Sequence, residues 1–264
     1  MDAYKLLTNT LIECNDGAFV IELISKPSDE QLQRLIEGSG SPESEMRQVN
    51  SSAGLAVNFW RAYELSHPES KVEFEWKKQV PLKRGLPANI DVVVRESDKI
   101  AFIESKFLEP YYSGNEVPRV SYLEASKYSK TTAPAQRWVD LFTQAKHFQI
   151  YNVVQLCRHL LAIYKDMRKS PKDYEKKQVQ LCSVTWKMPD EFISLFMEEY
   201  QNAFIERNRL IEAEAKECKD LINRFISEQL HLEQLSFEIL SYNDIIGWIA
   251  NTENYVKFKK QYFL

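Results

Sequence analysis

The first clear apolar pattern is Phe19-Val20-Ile21-Glu22-Leu23-Ile24, a strand-like run. Ser28-Asp29-Glu30-Gln31 follows it with the spacing of a helix-capping box. Gly38-Ser39-Gly40-Ser41-Pro42 reads as a hinge. From Glu43 to Leu65, Met46, Val49, Ala53, Ala56, Trp60 and Tyr63 recur at spacings of three and four, which predicts one amphipathic helix. The period then drops to two over Val72–Lys77, and two further strand runs follow, Ala88–Arg95 and Ile100–Phe107. Residues 108–136 form a long irregular stretch containing Pro110, Pro118 and Pro134. A helix is expected from about Arg137 to Met167, a basic linker over Arg168–Lys177 and a strand over Val179–Lys187. Residues 190–232 read as mostly long amphipathic helix, and a short strand, Leu235–Leu240, precedes terminal helical segments. The order helix–strand–strand–strand–helix–strand predicts an α/β sandwich, a mixed sheet with helices on both faces.

Composition excludes some classes. With 44% hydrophobic residues and only 7 Gly in 264 positions, neither a disordered chain nor a glycine-rich repeat fits. No apolar run reaches the roughly 18 residues that span a bilayer, so no membrane association is expected. The start, Met1-Asp2-Ala3-Tyr4-Lys5, lacks the basic region of a signal peptide. Cys14, Cys157, Cys182 and Cys218 are scattered without a CxxC pair, which points to reduced thiols in a cytoplasmic protein and away from zinc. The net charge of −4 argues against a polyanion ligand until it is divided along the chain. Residues 71–177 carry +7, between flanks of −6 and −5. Local charge sets the field near a phosphate, so the basic middle keeps nucleic acid open as a partner.

That middle contains the most informative segment, Asn89 to Lys106. A two-residue turn at Ser97-Asp98 pairs residues whose numbers sum to 195, which sets Asp91 opposite Glu104 and Asn89 opposite Lys106. Alternation then projects Asp91, Glu104 and Lys106 from one face, with Ile90, Val92, Val94, Ala101 and Ile103 on the other. Two carboxylates facing each other on an apolar sheet repel and are costly to desolvate. A hard divalent cation, Mg²⁺ or Mn²⁺, resolves the conflict, and the lysine beside it can hold or polarise a water aimed at a phosphate. A salt-bridged strand end is the competing account. Three of the other Glu-x-Lys strings, Glu175/Lys177, Glu214/Lys216 and Glu217/Lys219, lie in a charged linker or on a helix, where positions i and i+2 do not face each other. Glu104/Lys106 sits on an apolar strand with an Asp across the hairpin.

Asp91, twelve intervening residues, then Glu104-Ser105-Lys106, after a helix and a strand and before a helix, resembles the PD-(D/E)xK nuclease superfamily with its restriction-endonuclease-like αβββαβ core. Ser51-Ser52-Ala53-Gly54-Leu55-Ala56-Val57-Asn58-Phe59, together with Glu104-Ser105-Lys106-Phe107-Leu108-Glu109-Pro110, is similar to an uncharacterised bacterial branch of it. The resemblance covers roughly residues 43–187 and departs from the pattern at Ile90, where a Pro usually stands. It implies a Mg²⁺- or Mn²⁺-dependent endonuclease acting on DNA and leaving a 5′-phosphate. Asp91, Glu104 and the Ser105 backbone carbonyl would bind the metal, and Lys106 would assist the attacking water. Many members add an acid from the first helix. Glu45 lies about 40° from the centre of the apolar stripe at 100° per residue. Glu64 also flanks it, but roughly 28 Å further along. Related nucleases often present a Gln from the later helix toward the lysine or a phosphate, and Gln155, four residues before His159, takes that place.

The expected division is a small α/β extension over 1–42, a nuclease core over 43–187 and a mainly helical extension over 188–264 that completes the sheet. Arg119, Lys127, Lys130 and four tyrosines in the 108–136 stretch either contact nucleic acid or pack on their own domain. The helix over 190–232 either covers the sheet or forms a homodimer interface. The alternative function is a non-catalytic nucleic-acid-binding or protein-interaction module on the same fold. The intact acid–acid–lysine trio argues against it.

Overall fold

The period-two segments pair as strands. In the computed structural model, which describes residues 3–38, 43–83, 85–129, 135–250 and 253–263, β1 (Lys71–Lys78), β2 (Ala88–Arg95) and β3 (Lys99–Lys106) form an antiparallel meander. β4 (Gln178–Thr185) and β5 (Leu235–Ser241) then join in parallel, so the mixed sheet runs β1-β2-β3-β4-β5. The helices named in chain order are α1 (Ala3–Cys14), α2 (Asp29–Gly38), α3 (Glu43–Met46), α4 (Ser52–Ser66), α5 (Glu109–Tyr112), α6 (Ala135–Ala145), α7 (Val153–Lys169), α8 (Pro171–Tyr174), α9 (Asp190–Ile193), α10 (Glu198–Phe225), α11 (Tyr242–Ile245) and α12 (Glu253–Tyr262). The expected αβββαβ order is present as α4, β1 to β3, α7 and β4. α4 covers the sheet face carrying Val94, Ala101, Ile103 and Cys182, while α7 covers the face carrying Glu104, Ser183 and Thr185. Among the described residues, no helix is long and apolar enough to cross a membrane.

Local sequence signals account for several boundaries. Ser28 and Gln31 make the reciprocal capping box of α2: the Ser28 hydroxyl accepts from Gln31 N at 3.3 Å, and the Gln31 carbonyl oxygen accepts from Ser28 N at 2.9 Å. The single helix expected over 43–65 is broken, because Ser51 caps α4 by accepting from Gly54 N at 3.1 Å. Gly54 admits the end of α3: a Cβ there would lie 2.1 Å from the Met46 carbonyl oxygen. The run Phe19–Ile24 makes only an isolated bridge, Val20 to Gln48. Phe19 and Val20 stay 41% and 54% exposed, so the run has no sheet to bury them against.

Helix expected from 137 to 167 is two helices, α6 and α7, with the loop between them pinned from a distance. The Glu214 carboxylate of α10 accepts from the amides of Gln149, Ile150 and Tyr151 at 2.9, 2.8 and 2.8 Å. Residues 108–136 include α5 and two short 3₁₀ turns, and Tyr111, Tyr122 and Tyr128 are buried there. Three of its four tyrosines therefore serve packing, and Tyr112 alone of the four is exposed. α10 turns Phe204, Ile211, Cys218, Ile222 and Phe225 inward and packs beside β5. Asn58, fully buried on α4, ties distant segments together: its carbonyl oxygen accepts from Ile24 N at 2.8 Å and its amide donates to the Tyr262 hydroxyl at 2.9 Å. Apart from Gly38 the expected hinge lies outside the described residues, as do Lys130 and Pro134.

Candidate active site

The β2–β3 hairpin has the register that a two-residue turn dictates: Arg95 faces Ile100, Val94 faces Ala101, Val93 faces Phe102 and Val92 faces Ile103. Glu96 N donates to Lys99 O at 2.8 Å across the Ser97-Asp98 turn. There the ladder stops. One residue further, the Asp91 side chain replaces the backbone partner, and its Oδ2 accepts from Ser105 N at 2.7 Å. The β1–β2 ladder is interrupted at the same level: Phe74 faces Val92 and Trp76 faces Ile90, while Glu75 between them has left-handed backbone, φ 57°. Asp91 thus sits where β2 parts from both neighbours. Such interruptions re-aim side chains beside functional sites.

Glu104 is 1% exposed and engaged on both oxygens. Oε1 lies 2.6 Å from Lys106 Nζ and Oε2 lies 2.8 Å from His159 Nε2. Among the described residues, Oε1 is met by the Lys106 ammonium and by no other partner. In the parallel register, Ser183 lies beside Glu104 and Thr185 beside Lys106. The Tyr151 hydroxyl donates to Ser183 Oγ at 2.9 Å and lies 3.1 Å from Thr185 Oγ1. Lys106 O accepts from Trp186 N at 2.8 Å on the β4 side. Strand alternation therefore turns the Ser105 carbonyl toward β2, beyond the last ladder pair. The Ser105 hydroxyl meets the Tyr242 hydroxyl of α11 at 2.7 Å.

Two cavities meet at Lys106 and Glu109. One of about 290 Å³ is lined by Glu104, Tyr151, Gln155 and Thr185 besides those two residues. The other, of about 120 Å³, is lined by Asp91, Glu75 and Ser105 together with Lys106 and Glu109. Strict alternation places Asp91, Glu104 and Lys106 on one face, but Asp91 opens to the smaller cavity under α4 and Glu104 to the larger one beside α7. The reason is the ladder break, across which Asp91 reaches sideways to Ser105.

Charges in the cluster are strongly interdependent. Burial and the neighbouring Glu104 carboxylate push the Asp91 carboxyl well above its ordinary value. Burial also acts to raise Glu104, but Lys106 and His159 overcome it and hold Glu104 down at about 2. Burial disfavours the Lys106 cation, yet Glu104, Glu109 and Asp91 raise its pKa far enough to keep it charged. Negative charge thus resides on Glu104, and Asp91 is the carboxyl that takes the proton. A group with a raised folded-state pKa stabilises fully below its unfolded value and loses that contribution as pH rises. In chelator, stability should accordingly fall as pH climbs from about 3.9 through the raised Asp91 value. The Glu104 contribution is present above the ordinary Glu value and is lost only as pH falls toward about 2. Urea midpoints measured across this range in EDTA check the expectation, with Asp91→Asn flattening the upper limb. A wild-type profile already flat there would contradict it.

Of the residues singled out from sequence, the structure gathers Asp91, Glu104, Ser105, Lys106 and Gln155 around the two cavities. Glu45 is exposed on α3 and lines neither cavity, because the helix on which its angle was measured is not continuous. Three residues join the cluster with no role assigned to them from sequence. Glu109 accepts from Phe107 N at 2.8 Å and from the Ser52 hydroxyl. Glu75 lies in the smaller cavity, and His159 holds Glu104. His159 had a visible signal in its spacing from Gln155. Glu109 stands in the stretch 104–110 that carries the family resemblance, and Glu75 had no signal beyond its charge.

The donor set fits a hard divalent cation. The cluster contains the Asp91 carboxylate, the incompletely satisfied Glu104 Oε1 and the Ser105 carbonyl, all of them oxygens, with Asp91 and Ser105 lining the smaller cavity and Glu104 the larger. Among the described residues no group of three or more His, Cys, Asp or Glu surrounds a single point, so a cation here needs backbone oxygen and water to complete its shell. A protein-family model described as restriction endonuclease associating with ARP matches residues 9–262. No curated protein and no solved structure gives a significant match.

Proposed function

The chain belongs to the family of restriction endonucleases associating with ARP, and on that premise we propose that it is a Mg²⁺- or Mn²⁺-dependent DNA endonuclease whose site is Asp91, Glu104 and Lys106. The observation that carries the reading is the break in the β2–β3 ladder. It sets Asp91 beside Ser105, next in the chain to a buried Glu104 whose Oε1 is met by Lys106 alone. Asp91, Glu104 through Oε1 and the Ser105 carbonyl would hold the cation. When bound, it supplies positive charge to the scissile phosphate and lowers the pKa of a water.

The protein's own groups do the rest. Glu104, Glu109 and Asp91 favour the charged form of Lys106, and beside the cation the lysine positions or activates the attacking water. To act, its Nζ leaves Glu104 Oε1, and Glu109 beside it keeps the ammonium at the junction of the cavities. Gln155, whose Oε1 accepts from Asn152 Nδ2 at 3.0 Å, lines the larger cavity, where its amide can meet a phosphate oxygen. The exposed Lys77 and Lys78 at the end of β1, level with the start of β2, supply charge for the flanking backbone. In this reading residues 43–187 are the nuclease core, between an N-terminal extension and a C-terminal segment that adds β5.

The test is to incubate the protein with circular and linear DNA plus Mg²⁺ or Mn²⁺, beside Asp91→Ala. Cleavage by the wild type and about 10²-fold or greater loss in the variant are expected. No cleavage with either metal on either substrate would sink the enzyme reading. Salt-sensitive binding without cleavage would favour a binding module instead.

A further inference from the structure

Glu104 is held from behind as well as from the solvent side. His159 on α7 is completely buried, and its Nε2 lies 2.8 Å from Glu104 Oε2. Its other ring nitrogen, Nδ1, is buried with no hydrogen-bond partner. The tautomer with hydrogen on Nε2 therefore satisfies the contact, and the ring donates to Oε2. Leaving a buried ring nitrogen unpaired is unfavourable for a residue that merely fills space, where an apolar side chain of similar volume would serve better.

The consequence falls on the other oxygen. With Oε2 committed to His159, Oε1, beside Lys106 Nζ, is the Glu104 oxygen left for a cation. We propose that His159 is a positioning residue that restricts Glu104 to one-oxygen ligation and thereby favours a small octahedral cation over Ca²⁺. Mg²⁺ takes six ligands in near-ideal octahedral geometry, whereas Ca²⁺ accepts six to eight and commonly uses both oxygens of a carboxylate. A Glu104 free to turn would offer that two-oxygen grip. This inference rests on the metal-binding reading given above, and it concerns which cation is held and not whether DNA is cut.

The experiment is calorimetric titration of Mg²⁺ and of Ca²⁺ into chelator-treated protein, without DNA, for wild type, His159→Ala and His159→Gln. The wild type is expected to prefer Mg²⁺. His159→Ala should lose about 10–100-fold in Mg²⁺ affinity and should bind Ca²⁺ relatively better, so that the preference narrows or inverts. His159→Gln keeps an N–H within reach of Oε2 and should restore the Mg²⁺ preference. If His159→Ala does not fold, His159→Phe fills the ring volume without the donor and carries the same expectation. A donor-less variant that folds and keeps the wild-type ratio of affinities overturns the role of His159 while leaving the metal site standing. A wild type that binds neither cation overturns both.

Discussion

Lys106→Ala is expected to cut DNA about 10²–10⁴-fold more slowly than wild type while holding its cation at least as tightly. The two effects separate because Lys106 has two positions to serve. Without metal, its Nζ lies 2.6 Å from Glu104 Oε1, the oxygen offered to the cation, and so competes for it. During turnover it orients the water. Removing the side chain ends the competition and the orientation together, so binding is kept or improved while cleavage collapses. Single-turnover cleavage at saturating Mg²⁺, beside calorimetric Mg²⁺ titration, reads the two separately. Lys106→Arg should rescue little, since a planar guanidinium does not place its donors where a compact ammonium does. Parallel loss of affinity and rate in Lys106→Ala would make the lysine a prop for the metal site instead.

Trp186→Ala is expected to lower folding stability by about 3–5 kcal/mol. The indole is fully buried one residue after β4, with ring centroids 5.0 Å from Phe107, 5.6 Å from Phe192 and 6.0 Å from Tyr111. Its Nε1 donates to Tyr262 O at 3.0 Å, and its backbone N donates to Lys106 O. One side chain thus joins the segment after β3, the α9 region and α12. Truncation leaves a cavity among rings that cannot close over it and a carbonyl with no donor. Trp186→Phe retains much of the packing and should lose about 1–3 kcal/mol, mostly for the unpaired Tyr262 carbonyl. Urea unfolding at fixed pH measures both. A loss under about 1 kcal/mol for the alanine variant would show that the rings repack.

Much of the site was legible because a hairpin obeys arithmetic. The turn at Ser97-Asp98 sets the sum rule, and the pairs from Arg95–Ile100 to Val92–Ile103 follow it. Where the rule ends was not legible. The parting of β2 from β3 at Asp91 comes level with Glu75, which has left-handed backbone on β1, and no side-chain period marks such a break. Glu45 was placed by helical angle along a helix that Ser51 and Gly54 interrupt, although Ser51 is itself a recognisable cap. His159 shares a helical face with Gln155 in the sequence, but only the docking of α7 on β3 tells which of them reaches Glu104. The tyrosines of residues 108–136 could not be sorted into core and surface without their neighbours.

The hydroxyl of Tyr242 against Ser105 and that of Tyr262 against Asn58 carry a consequence for the order of synthesis. At roughly 5–20 residues per second, about 8–30 s separate the making of Lys106 from that of Tyr262. Throughout that interval the growing chain holds every proposed metal donor, while β4 is missing for about the first half of it and β5 for most of it. β3 then has no parallel neighbour to fix its carbonyls, and α4 has no α12 to lean on. In the reading proposed above, the motif by itself is therefore not yet a finished site while the chain is being made. The proposed centre comes from the middle of the chain, and residues made much later hold its surroundings.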